Sequence, residues 1–136
     1  MINSKLPDYR LKQKLLYVDK VSANDLQKYG DLFLGEGRLS DALEFYQKAN
    51  HNSGLQNIKE AALNSGDVML FGLAAKALNQ ELKPADWESI GQKAIELKKY
   101  LFAKHAMEKA NNEEMLNSLK KIMLKEVDSK KAHDEK

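Results

Sequence analysis

The chain contains no cysteine and no threonine, only two prolines, and no long apolar run. Without cysteine there are no disulfides and no thiolate metal sites, which is compatible with a reducing compartment. Val and Ile are scarce as well, so the residues that favour strands are few. With proline confined to Pro7 and Pro84, a long stretch is free to be helical. The longest apolar run, Val68 to Ala75, falls far short of the roughly 20 residues a membrane-spanning helix needs. Met1 to Asp8 lack the apolar core of a signal peptide. Nor is one charge in excess: 22 basic residues meet 20 acidic ones, for a net charge of +2. That balance gives no general reason to approach nucleic acid or an anionic membrane. A cytoplasmic protein without membrane attachment is expected.

What is present favours helix. Ala, Leu, Lys, Glu and Gln dominate, and these are strong helix formers. Hydrophobic residues make up 43% of the 136 positions and charged ones 31%, a composition that can bury a core rather than stay disordered. Shifting the sequence against itself by 61 positions aligns Asp25–Asn50 with Asp86–Asn111 without a gap. Leu26 meets Trp87, Tyr29 meets Ile90, Gly30 meets Gly91, and Phe33 meets Ala94. Ala42 then meets Ala103, Tyr46 meets Met107, Ala49 meets Ala110 and Asn50 meets Asn111. The matches fall on apolar and small positions, which packing selects.

Each aligned block reads as a helix pair. Leu26, Tyr29, Gly30, Phe33 and Leu34 recur at three- and four-residue intervals and form one stripe. Gly35-Glu36-Gly37 ends it, and Leu39, Ala42, Leu43, Tyr46 and Ala49 form the next. In the later block Pro84 suits the first helical turn. Trp87, Ile90, Gly91, Ala94 and Ile95 follow, then Tyr100, Ala103, Met107 and Ala110, across a turn at Leu97-Lys98-Lys99 that has no glycine. Between the blocks, Leu55, Ile58, Ala61 and Ala62 suggest a short helix ended by Asn64-Ser65-Gly66. Asp67 can cap its partner, which carries Val68, Phe71, Ala74, Ala75 and Leu78. Asn111-Asn112-Glu113-Glu114 opens a last helix lined by Met115, Leu116, Leu119, Ile122 and Met123, a cap for the final pair. Pro7 to Tyr17 can form a front helix that packs Leu11, Leu15 and Leu16. From Asp128 to Lys136 the chain is almost wholly polar and reads as a charged, frayed tail behind a single domain spanning residues 1–127.

These units resemble the tetratricopeptide repeat family. Its 34-residue unit sets a large apolar residue, an apolar–small pair and an aromatic in the first helix, then small, aromatic and small residues in the second. The first unit here reads Leu26, Tyr29-Gly30, Phe33, then Ala42, Tyr46, Ala49, and the later one Trp87, Ile90-Gly91, Ala94, then Ala103, Met107, Ala110. Two departures stand out. Gly54 and Met115 occupy the places of the usual terminal proline, and the offset of 61 is shorter than the roughly 68 that two units require. The middle block then reads as a degenerate repeat with a clipped first helix. The resemblance implies an all-α fold: a right-handed superhelical stack of about three antiparallel helix pairs with a C-terminal capping helix. It also implies a non-catalytic adaptor or scaffold that binds a peptide or helix of a partner protein in a groove lined by first helices. The matching positions are Asn24, Gln27, Asp31 and Leu34, then Glu88, Gln92 and Ile95. Asp31 and Glu88 would repel a terminal carboxylate, which argues against that ligand class.

Other chemistry finds little support. His51, His105 and His133 are far apart, the serines sit mostly near helix ends, and Gly35-Glu36-Gly37 lacks the preceding strand of a phosphate loop. No catalytic, cofactor or metal site is expected. Two alternatives stand beside the adaptor: an assembly subunit or homo-oligomer, and, more weakly, RNA binding. The last would need Lys98, Lys99, Lys104 and Lys109 to share a face with Lys120, Lys121 and Lys125. Phe45-Tyr46 and Leu101-Phe102 each place two bulky groups on adjacent helix faces, so one of each pair is a candidate for an exposed docking patch, with Phe45 and Phe102 the residues to test.

Overall fold

A computed structural model describes residues 6–134, with side chains described as far as Ser129. The described residues are all-α: α1 (Tyr9–Tyr17), α2 (Ala23–Gly35), α3 (Leu39–Lys48), α4 (Asn52–Ser65), α5 (Val68–Ala77), α6 (Pro84–Glu96), α7 (Tyr100–Ala110) and α8 (Glu113–Asp134). They form two compact units, residues 6–60 with 73–80 and residues 61–72 with 81–134. In the first, α2 packs on α3 and α1 lies against α3. In the second, α6 packs on α7, and α7 on α8.

Helix starts follow the local chemistry. Asp8 and Ser22 cap α1 and α2 by accepting from the amides of Leu11 (2.8 Å) and Asp25 (3.1 Å). Asp67 and Asn112 do the same for Leu70 (3.1 Å) and Met115 (3.0 Å). At α6, Pro84 holds the first turn while the Asp86 carboxylate accepts from the Lys83 amide at 2.9 Å.

One kind of backbone turn follows α2, α4 and α6. After α2, Gly37 takes φ +74° and the amides of Gly37 and Arg38 donate to Leu34 and Phe33 at 3.0 and 2.9 Å. After α6, Lys98 takes φ +60° and the amides of Lys98 and Lys99 donate to Ile95 and Ala94 at 3.0 and 2.8 Å. After α4, Gly66 takes φ +67° and the amides of Gly66 and Asp67 donate to Leu63 and Ala62 at 3.3 and 2.9 Å. These left-handed closures satisfy the last carbonyls of each helix. The second helices end alike at Asn50, Asn79 and Asn111, with φ 54°, 56° and 55°. Asparagine tolerates that conformation better than most side chains. Matching turns therefore recur after 29 residues (37 to 66, 50 to 79) and then after 32 (66 to 98, 79 to 111).

The middle pair is consequently not clipped in its first helix. α4 has 14 residues against 13 in α2 and α6. The shortening lies in the joint: residues 49–51 connect α3 to α4, whereas residues 78–83 connect α5 to α6. At the C-terminus α8 stays helical to Asp134, past the boundary at residue 127 drawn from the sequence. The stretch holds neither Gly nor Pro, so nothing breaks the helix where polarity sets in.

Close approach of helices is set at two equivalent glycines. In the first unit, a Cβ on Gly30 would stand 2.6 Å from the Tyr46 ring, and one on Gly54 would stand 2.8 Å from the same ring. Tyr46 thus fills a slot between α2 and the start of α4, which accounts for glycine where the repeat pattern has proline. Phe33 stacks on Phe45 with centroids 5.5 Å apart, Tyr29 lies 5.6 Å from Phe45, and the Arg38 guanidinium sits 5.0 Å over Phe33. Burying Phe33, Phe45 and Tyr46 completely stabilises the unit by about 2 kcal/mol each. In the second unit, a Cβ on Gly91 would meet the Met107 methyl at 2.5 Å and Ala106 at 3.2 Å. Ala94, Ala103 and Leu119 form its centre, with Ile95, Tyr100, Phe102 and Met123 packed around them. Phe45 and Phe102 are thus packing residues rather than docking groups, whereas Leu11, expected to pack, lies exposed beside the buried Lys12–Leu15–Leu16 stripe.

Gly30→Ala should lower stability to urea by about 2 kcal/mol, because the Tyr46 ring must move. Gly35→Ala, with nothing within 4 Å of the new methyl, should be neutral or stabilising by up to about 1 kcal/mol.

Candidate functional site

The second unit carries an open apolar groove. α7 and α8 are held in register by Tyr100 Oη donating to Glu126 at 3.2 Å and by Ala103 packing with Leu119. α8 is twice the length of α7, 22 residues against 11. Their exposed edges enclose a groove of about 480 Å³ lined by Leu101, Lys104, Lys120, Met123, Leu124 and Val127. Leu101, Leu124 and Val127 are 77%, 63% and 54% exposed, whereas Met123 also packs on the core beneath. Together these side chains make a contiguous apolar patch, the usual mark of an interaction surface.

The residues expected to line a groove of first helices fall in both units. Asn24, Gln27, Asp31 and Leu34 lie on α2 of the first unit, and Glu88, Gln92 and Ile95 on α6 of the second. Asp31 accepts from Tyr46 Oη at 2.6 Å, and Glu88 accepts from Asn112 Nδ2 at 3.3 Å. Ile95 packs against the core. Gln92 lines a cleft of about 360 Å³ with Leu63, Asn64, Ser89, Lys93 and Glu96. Asn24 is exposed, and Gln27 and Leu34 are half-buried. Three members of the set therefore have intramolecular partners.

The titratable groups with strong partners are also structural. Lys12 reaches from α1 to Asp41 at 2.7 Å and to Glu44, and Arg38 bonds Asp41 at 2.8 Å. Burial alone would lower the Lys12 pKa, but the hydrogen bonds and charges of Asp41 and Glu44 outweigh it and raise the value. Burial likewise opposes ionisation of Asp41, and Lys12 and Arg38 overcome it and hold its carboxyl below the ordinary range. Burial and the Asp31 carboxylate push the Tyr46 phenol well above its usual value, so it remains a hydrogen-bond donor. His51 Nε2 lies 3.3 Å from Ser53 Oγ, and among the described residues no carboxylate bonds the other ring nitrogen. His105 is half-buried with its ring edge-on to Trp87, 6.5 Å between centroids. The side chain of His133 lies outside the described residues. Among those residues no group of three His, Asp or Glu could hold a metal ion, and no helix is long and apolar enough to cross a membrane.

Of the seven lysines that a basic stripe would need, only Lys104 and Lys120 line one groove. Lys99 donates instead to the Ser65 carbonyl, and Lys98 forms the left-handed turn. Leu124 and Val127 were not singled out by sequence, because the dominant α8 stripe runs through Leu119 and Met123. The available signal was a second apolar pair three residues apart, Leu124 and Val127, outside that stripe. Comparison with protein-family models, with curated proteins and with solved structures yields no match.

The Lys12 cluster fixes a pH window. The raised Lys12 pKa contributes stability fully below 10.5 and loses it as pH rises through the folded-state value. The lowered Asp41 pKa contributes above 3.8 and is lost as pH falls through its folded value. Lys12→Met should cost roughly 1–2 kcal/mol near neutral pH, a deficit that stays level across mildly acidic and alkaline buffers and shrinks below about pH 4. Urea titrations of both proteins over that range measure it.

Proposed function

We propose that the chain is a non-catalytic protein-interaction module, a cytoplasmic adaptor or scaffold of the tetratricopeptide kind whose helix pairs stack in a right-handed superhelix. The three recurrent turns and the equivalent glycine crossings support the repeat reading. The observation that carries the interaction reading is the apolar groove between α7 and α8, with Leu101, Leu124 and Val127 exposed beside Met123. Leaving such side chains in water brings no benefit to the fold, and covering them with a partner recovers their transfer free energy. The expected α2–α6 face is a weaker candidate, because Asp31, Glu88 and Ile95 already have partners within the chain.

The experiment is affinity capture from source lysate with the native chain and with a Leu101→Asp, Leu124→Asp double variant. Both leucines are exposed, so circular dichroism and the melting temperature should be unchanged. The native chain should retain a protein that the variant loses at least about tenfold. Retention by both would move the interaction to another surface. Light scattering on the same samples separates a partner protein from a second copy of the chain.

A further inference from the structure

The chemistry of the α7–α8 groove also identifies its occupant. Resting on the interaction reading above, we propose that the groove receives an acidic amphipathic helix of a partner protein. The floor is aliphatic: Leu101, Met123, Leu124 and Val127. Among the described residues its charged lining is Lys104 and Lys120, with no carboxylate. Lys104 lies 4.0 Å from Glu108 on its own helix, a pair more than half exposed on both sides and too weak to neutralise it. Lys120 makes no ion pair among the described residues, and Lys121 on the next position is exposed as well.

The recognised ways of binding a peptide leave one that fits. Strand addition needs a free sheet edge, and the described residues contain no strand. Proline-rich segments need an aromatic-lined groove, and among the described residues no aromatic side chain lines this one. A furrow between two packed helices accepts the side-chain ridge of a third, with apolar anchors at three- and four-residue spacing. Lysines at the walls then select carboxylates beside those anchors.

A second copy is a poorer occupant. A twofold contact presents the same patch from both chains, so it would bring four lining lysines together and no lining carboxylate. Single-stranded RNA would find phosphate partners but no aromatic platform for its bases.

The test uses two synthetic peptides of about 18 residues that share one leucine stripe, flanked in one by glutamate and in the other by lysine. Binding to the full chain is followed by calorimetry and by amide shift changes. The glutamate peptide should bind at least about tenfold tighter than the lysine peptide, weaken with added salt, and shift Leu101, Met123, Leu124 and Val127. Lys104→Glu with Lys120→Glu should reverse the preference, and Leu101→Asp with Leu124→Asp should remove binding of both peptides. Equal binding of the two peptides, binding of neither, or an unchanged preference in the charge-reversed variant overturns the proposal. So does self-association through these residues, or tighter binding to phosphatidylcholine vesicles with about 30% phosphatidylserine than to the peptide. If the peptides fail while the leucine variant still loses its captured protein, the groove remains the interaction surface and only the acidic helix is wrong. If capture is also unaffected, the interaction reading itself falls.

Discussion

Two helices can approach closely only where one of them gives up its side chain, and the packing of each unit depends on that constraint. At Gly30 the missing Cβ admits the Tyr46 ring, and at Gly91 it admits the Met107 side chain. A methyl group in either place would overlap its neighbour. The surrounding core then follows: with α2 and α3 in close contact, Phe33 stacks on Phe45, and with α6 and α7 in close contact, Ala94 meets Ala103 beneath Leu119. Interiors at crystal-like density leave no slack to absorb an added methyl without movement. Glycine in a helix costs up to about 1 kcal/mol in propensity, so its recurrence at matched crossings needs a packing reason, and the facing side chains supply it.

The turns add a second repeated constraint. Gly37, Gly66 and Lys98 close the three first helices in the same left-handed conformation, and Asn50, Asn79 and Asn111 close the three second helices. Lysine at this place carries a steric cost that glycine avoids, yet the hydrogen bonds at Lys98 and Lys99 match those at Gly37 and Arg38 within about 0.1 Å. The backbone motif therefore persists where the residue that announces it has been lost. Spacing between units is adjusted in the joints, three residues in one and six in the other, while the length of the first helix is conserved from pair to pair.

Much of this was legible in residue order. Helical periodicity, the capping residues Asp67 and Asn112, and the alignment of Gly30 with Gly91 are local or pairwise patterns, and each describes the structure as found. The middle pair was misjudged because its stripe is small-sided, with alanines in place of large residues, and a short repeat was charged to the helix instead of the joint. The groove was missed for a different reason. Helical periodicity marks the buried side of α8, and Leu124 and Val127 lie outside it, so only the length mismatch between α7 and α8 exposes them as a surface. At Leu101-Phe102 the sequence recognised that one bulky group is surplus to packing but could not choose between them: Phe102 packs on the core and Leu101 stands in solvent. Asp31 and Glu88 looked free because their partners, Tyr46 and Asn112, come from 15 and 24 residues away.

The glycine account is most directly measured by a double-mutant cycle between Gly91 and Met107, a pair without the hydrogen bond that complicates Tyr46. Gly91→Ala, Met107→Ala and the combined variant are compared with the native chain by urea denaturation. If the glycine exists to admit the methionine, the alanine methyl finds room once the longer side chain is gone. The combined loss of stability should then fall short of the sum of the single losses by at least about 1 kcal/mol. Additive losses would show that Gly91 and Met107 do not compete for the same space, and would contradict the constraint on which the packing argument rests.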